Sequence, residues 1–95
     1  MKGKIAVLVT TDKRGVFFGY IDPKDRTKDP LDVMECRNCI YWSKETRGFL
    51  GLAVTGPQKG SRVGPAADLV TLRGITSVSD ASTEAVKAWE LGTWD

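Results

Sequence analysis

Residues 4–11, KIAVLVTT, carry apolar side chains at consecutive positions and are rich in β-branched residues. Such a run predicts a strand covered on both faces. Asp12-Lys13-Arg14-Gly15 follows as a turn, with Gly15 available for a positive φ, and VFFGYID returns as a second strand, so the chain opens with an antiparallel hairpin. Gly19 inside the second strand predicts a bulge or a close approach of another backbone. Between Pro23 and Pro30 every residue is polar, which reads as an exposed connection.

The pattern then becomes mixed. In LDVMECRNCIYW the apolar residues fit neither a strict period of two nor a helical stripe. It reads as a strand bulged or broken near Arg37-Asn38, with Asn38 in a left-handed conformation. Ser43–Gly48 is a turn. FLGLAVT is a short apolar run interrupted by Gly51 and reads as a strand. GPQKGSRVGP is loop, and ADLVTLRGITSVSD supplies one long strand or two that meet at Gly74.

The last element is periodic at helical spacing. Ser82 is placed as N-cap, Glu84 lies in the first turn where the helix dipole favours an acid, and Ala85, Val86 and Trp89 share one face. Gly92 is positioned to close the helix. The expected architecture is one domain over residues 1–95. It is α+β: an antiparallel sheet of about five strands that starts with the N-terminal hairpin, plus one short C-terminal helix.

Composition narrows the chemistry. Fourteen Lys and Arg stand against twelve Asp and Glu, too even for a generic electrostatic DNA binder. There is no histidine, which removes the commonest general base and metal ligand. No pair of acids stands out as acid and base, and Asp22, Asp25 and Asp29 lack the loop pattern of a cation site. No catalytic residue, metal or cofactor is therefore expected. Cys36 and Cys39 supply half of a four-ligand zinc set with nothing to complete it. Three apart in an extended segment, they point to opposite faces, so two reduced, buried thiols are expected. No apolar run reaches membrane-spanning length, and Lys2 and Lys4 precede a run too short for a signal peptide, which gives an intracellular expectation.

The distribution of charge is more informative than its sum. RGFLGLAVTGPQKGSRVGPAAD, residues 47–68, holds five of the ten glycines and two of the four prolines. From Lys44 to Arg62 there are four bases and one acid, whereas residues 63–95 carry two bases and five acids. Glycines expose backbone N–H groups that can form anion-binding nests. Arg47, Lys59, Ser61 and Arg62 lie among them, with Arg37 upstream and Thr55 as a further hydroxyl. These six are the candidate anion-binding residues. The segment is no P-loop, because GPQKGS lacks that spacing. The competing reading is that Gly and Pro only shape turns and the bases are solvated. Of the eight aromatics, one of Phe17/Phe18 and one of Tyr41/Trp42 is expected to face outward, where it would stack on a base or join a subunit interface; the terminal Trp94 is tucked under a neighbour or spare.

VTTDKRGVFFG, RNCIYW, RGFLGLAVTGP, SRVGPA and TEAVKAWE together resemble a family of small uncharacterised proteins of tailed bacteriophages and prophages. The resemblance implies a phage accessory protein made in the cytoplasm of a bacterial host. It gives no catalytic residues. Joined to the basic glycine-rich segment, it leads to one expectation: a non-enzymatic homo-oligomer, of the counter-defence kind, that sequesters a small anionic, nucleotide-like ligand. The alternatives are a module that inhibits a host protein and nucleic-acid binding through residues 44–62.

Overall fold

The computed structural model describes residues 2–91. The elements are β1 (Ile5–Thr11), β2 (Val16–Ile21), β3 (Leu31–Tyr41), α1 (Gly51–Val54), β4 (Arg62–Val63), β5 (Ala67–Leu72), β6 (Ile75–Asp80) and α2 (Thr83–Leu91), with short 3₁₀ turns at Pro23–Asp25 and Lys44–Thr46. Every strand pairing is antiparallel, so the protein is α+β with the N-terminal hairpin and C-terminal helix that the periodicity predicts.

The strand order is β4-β3-β2-β1-β6, and β5 shares the outer edge of β3 with β4. Two residues, Arg73 and Gly74, connect β5 on one edge to β6 on the other. A flat sheet would hold those edges about 19 Å apart, at ~4.8 Å per strand spacing. Three Cα steps span at most about 11 Å. The sheet must therefore curl, and its concave face closes on itself. Three bonds fix the crossing: Asp12 N–H donates to Gly74 O at 2.9 Å, and the Asp29 carboxylate accepts Gly74 N–H at 3.1 Å and Ile75 N–H at 3.0 Å. Asp29 belongs to the polar 23–30 connection, so that segment is more than a solvated loop.

Curling gives two cores. Val7, Val9, Ile21, Leu31, Val33, Cys36 and Leu72 fill the concave side. Leu8, Val16, Phe18, Cys39 and Val63 face the other way, under α1 and α2. The consecutive apolar residues of β1 thus serve both cores, the physical reason for their lack of alternation. Cys36 and Cys39 fall into different cores as free, buried thiols. Burial pushes both up, to about 11.

The helical layer is tied down by polar bonds as well as by area. The Phe18 and Trp89 rings stack with centroids 5.1 Å apart, and Trp89 Nε1 donates to Leu52 O at 2.9 Å. Ser82 caps α2, its Oγ accepting Ala85 N–H at 3.0 Å, while Ser82 N–H donates to Ala53 O. Gly56, at φ 80°, lets the end of α1 approach α2, because a Cβ there would press on Ala88 and the Ala85 backbone. The expected Gly92 cap and the place of Trp94 lie outside the described residues.

Four expectations change. FLGLAVT is not a strand: residues 51–54 form α1, since Leu52 and Ala53 must both face the Trp89 layer and a single helical turn presents consecutive residues there. β3 is continuous through Arg37-Asn38, and its irregularities flank that pair, one against β2 before it and one against β4 between Cys39 and Tyr41. Phe18 pairs with Arg37 and Tyr20 with Met34, so three β3 steps oppose two of β2, and Glu35, not Asn38, takes the positive φ of 49°. Gly19 lies against this bulge, where a Cβ would collide with the Val33 side chain and the Met34 carbonyl. In the first turn Arg14, not Gly15, adopts positive φ. Neither Phe17 nor Phe18 faces solvent outright: Phe18 enters the helix-side core and Phe17 packs half-buried against the concave one. Of Tyr41 and Trp42, Tyr41 is the outward residue, at 57% exposure.

Candidate functional site

The glycine-rich segment is organised by a buried hydroxyl cluster. Ser61 Oγ accepts Ser43 N–H at 3.0 Å and lies 3.2 Å from Thr46 Oγ1, which in turn accepts Gln58 N–H at 3.1 Å. These bonds lock residues 43–47 against residues 58–62. Lys44, Arg47, Lys59 and Arg62 are all exposed on the two stretches, with Glu45 the one acid between them. Among the described residues none of the four cations makes an ion pair; the ion pairs present are Lys4–Asp22, Lys24–Asp22, Arg26–Asp80 and Lys28–Asp25.

The six candidate residues do not converge on one point. Ser61 is buried and its oxygen is committed to the cluster, while Thr55 Oγ1 donates to Gly51 O at 3.2 Å. Both hydroxyls shape the loop. Lys59 borders a cleft of about 300 Å³ against α2, with Pro57, Val63 and Ala88. The backbone N–H groups of Lys59 and Gly60 have no partner among the described residues. Arg62 is directly opposite Tyr41 in the β3–β4 register, and its neighbour Val63 enters the helix-side core, so Arg62 projects to the other side of the sheet. Arg47, at φ 69°, ends the 3₁₀ turn as an exposed side chain.

Arg37 stands apart from the other five. It pairs with Phe18, and its Nη1 donates to Gly64 O at 3.0 Å. It lines a helix-side cleft of about 260 Å³ with Tyr20, Glu35, Ala66 and Glu90. Tyr20 Oη donates to Glu90 Oε2 at 2.8 Å. Burial, that hydrogen bond and the nearby carboxylates of Glu90 and Glu35 push the phenol up to about 12, so it stays a donor across the physiological range. The bulge forms this cleft by adding Glu35 to β3. Sequence reasoning placed no site here, although Gly19 marked the bulge that makes it.

A third cleft opens on the concave side. β4 and β5 both pair with β3 but are separated by Gly64, Pro65 and Ala66, and the gap leaves about 280 Å³ lined by Phe17, Asn38, Ile40, Gly64, Pro65 and Val70. Its wall is apolar except for Asn38. Among the described residues there is no cluster of three metal-ligating side chains, and no helix long and apolar enough to cross a membrane.

The chain belongs to the family of the domain of unknown function DUF6948, whose model matches residues 4–89. No curated protein and no solved structure matches it.

Proposed function

We propose that this protein acts by binding, without catalysis, and that its basic end takes a small phosphorylated ligand. The observation that supports the reading is the hydroxyl-linked pair of segments, which carries four exposed cations without ion-pair partners among the described residues, together with the open N–H groups of Lys59 and Gly60 on the same loop. Arginine and open backbone N–H groups are the usual grip for phosphate oxygens, and the fold already supplies the order they need. Arg62 is the principal anchor, Arg47 and Lys59 add charge, and Ser61 and Thr55 hold the loop.

In this reading the chain is a phage or prophage accessory protein in the host cytoplasm, a homo-oligomer that sequesters a host nucleotide signal. Capture of this kind needs no acid–base pair, and subunit contacts can close open clefts. Isothermal titration with nucleoside phosphates and inorganic pyrophosphate is the test, alongside native mass spectrometry of protein purified from a bacterial host. Binding that weakens in Arg62→Ala supports the proposal; no binding to any of these anions overturns it. Sedimentation at micromolar concentration checks the oligomer, and a 10.4 kDa species alone would remove that part.

A second reading has its own observation. Phe49, Leu50 and Val54 are exposed within one short stretch around α1, an apolar surface suited to a host protein. A protein retained through purification, and lost in Leu50→Asp, is the outcome that favours it.

A further inference from the structure

The concave-side cleft has the parts of a site for a flat heteroaromatic ring. Its floor and walls are Phe17, Ile40, Pro65 and Val70, and it opens where Gly64 replaces a side chain between β4 and β5. Phe17 and Asn38 are directly opposed across β2 and β3, so the half-buried ring and the amide lie on the same face. The Asn38 side-chain amide makes no hydrogen bond among the described residues, while its backbone carbonyl accepts Gly64 N–H at 2.9 Å. An open amide in an otherwise apolar cleft offers a donor and an acceptor side by side.

A cation lies further along the strand that borders the cleft. Arg62 is two residues from Gly64 and on the same side of the strand, about 7 Å along it at ~3.3 Å per residue. It faces Tyr41, an exposed aromatic, and makes no ion pair among the described residues. Apolar walls, one base-reading amide and a guanidinium displaced along the strand match a base joined through a sugar to a phosphate.

We infer that this cleft holds the base of a nucleotide, with the base against Phe17, its edge on the Asn38 amide and its phosphate on Arg62. The inference rests on the anion-binding reading above and adds the base site to it. Tyr41 flanks Arg62 and offers a second stacking surface.

The test is titration of the 5′-monophosphates of adenosine, guanosine, cytidine and uridine beside ribose 5-phosphate, which has the phosphate and no base. At least one monophosphate is expected to bind about tenfold or more tighter than ribose 5-phosphate, the gain from one stacked base. Gly64→Leu fills the cleft. A Cβ at residue 64 comes no nearer than 3.7 Å to Asn38 O and 3.8 Å to Ile40 Cδ1, so the backbone tolerates it. It should erase the preference for nucleotides and leave ribose 5-phosphate binding intact. Asn38→Ala, on an exposed residue, should narrow the preference with an unchanged melting temperature. It keeps the test decisive if Gly64→Leu misfolds. Arg62→Ala should weaken both ligand types. Equal affinity for ribose 5-phosphate and all four monophosphates, or full nucleotide binding in both Gly64→Leu and Asn38→Ala, overturns the base site and leaves the anion reading standing. No binding of any probe overturns both.

Discussion

The two faces of the sheet are built differently. The helix-covered face is packed with large aromatics, Phe18 against Trp89, and is pinned by the Trp89–Leu52 hydrogen bond and the Ser82 cap. The concave face is lined mainly by Val, Ile and Leu, and among the described residues no helix covers it. β4 and β5 divide one edge of β3 between them, and the Gly64–Ala66 link leaves a gap where they separate. The helix-covered face therefore carries much of the fold's large-side-chain packing, and the concave one offers a more apolar cleft than the Glu35–Arg37–Glu90 cleft on the helix side. Rigidity on one side leaves the other free to keep an opening.

The largest expected effect lies on the covered face. Trp89→Ala removes the stacked ring and orphans the Leu52 carbonyl, and should cost about 3–5 kcal/mol in denaturant unfolding. A loss below about 1 kcal/mol would show that α2 is dispensable and that the concave core suffices.

Next comes the seam where β2 meets the β3 bulge. Gly19→Ala drives a methyl into Val33 and the Met34 carbonyl, one side chain from the concave core and one rigid backbone atom. A cost of about 1–3 kcal/mol is expected. Since the bulge also positions Glu35, the ring environment of Tyr20 should shift in aromatic NMR spectra; an unchanged spectrum with full stability would contradict the bulge.

The buried thiols sample both faces at once. Each thiol rises from an ordinary value of 9.0 to about 11 in the folded state. Above pH 9 the unfolded chain releases these protons while the folded chain keeps them. The unfolded state then binds fewer protons, so stability falls as pH rises from 9 towards 11 and is complete below 9. Tyr20, raised from 10.0 to about 12, adds the same sign slightly higher. Chemical denaturation from pH 8 to 10.5 should show this decline, and Cys36→Ala/Cys39→Ala should flatten it below pH 10. One single mutant accounting for all of the flattening would mean that one face is open to water.

The smallest stability effects belong to the basic end. Arg62→Ala and Lys59→Ala, both on exposed side chains, should each leave stability within about 0.5 kcal/mol of wild type. Arg62→Ala should still weaken an anionic ligand more than Lys59→Ala, because it loses a bidentate grip rather than a point charge. Equal losses in the two variants would move the anchor to the Lys59 side, under α2.

Much of this architecture is written locally. The consecutive apolar residues of β1 announce two buried faces, Gly19 marks the bulge, Gly74 separates β5 from β6, and Ser82 with the Ala85/Val86/Trp89 spacing fixes α2. Each rests on side-chain period, turn chemistry or capping, which act over a few residues. The opposite burial of Cys36 and Cys39 is legible for the same reason, since a spacing of three reverses the face of an extended segment.

What needed the whole fold has a non-local cause. Residues 49–55 have the composition of a strand, and they become a helical turn because the Trp89 layer needs Leu52 and Ala53 on one side. Ser61 looks like a ligand donor in isolation, yet its partners Ser43 and Thr46 lie 18 and 15 residues away and draw it inside. Arg37 and Arg62 both carry open-chain signals of anion binding, and register alone sends one to the Glu35–Glu90 cleft and the other to the side of Tyr41. The concave cleft has no motif at all. It exists because a two-residue link forces the sheet to curl, and because β4 and β5 divide a single edge of β3 between them.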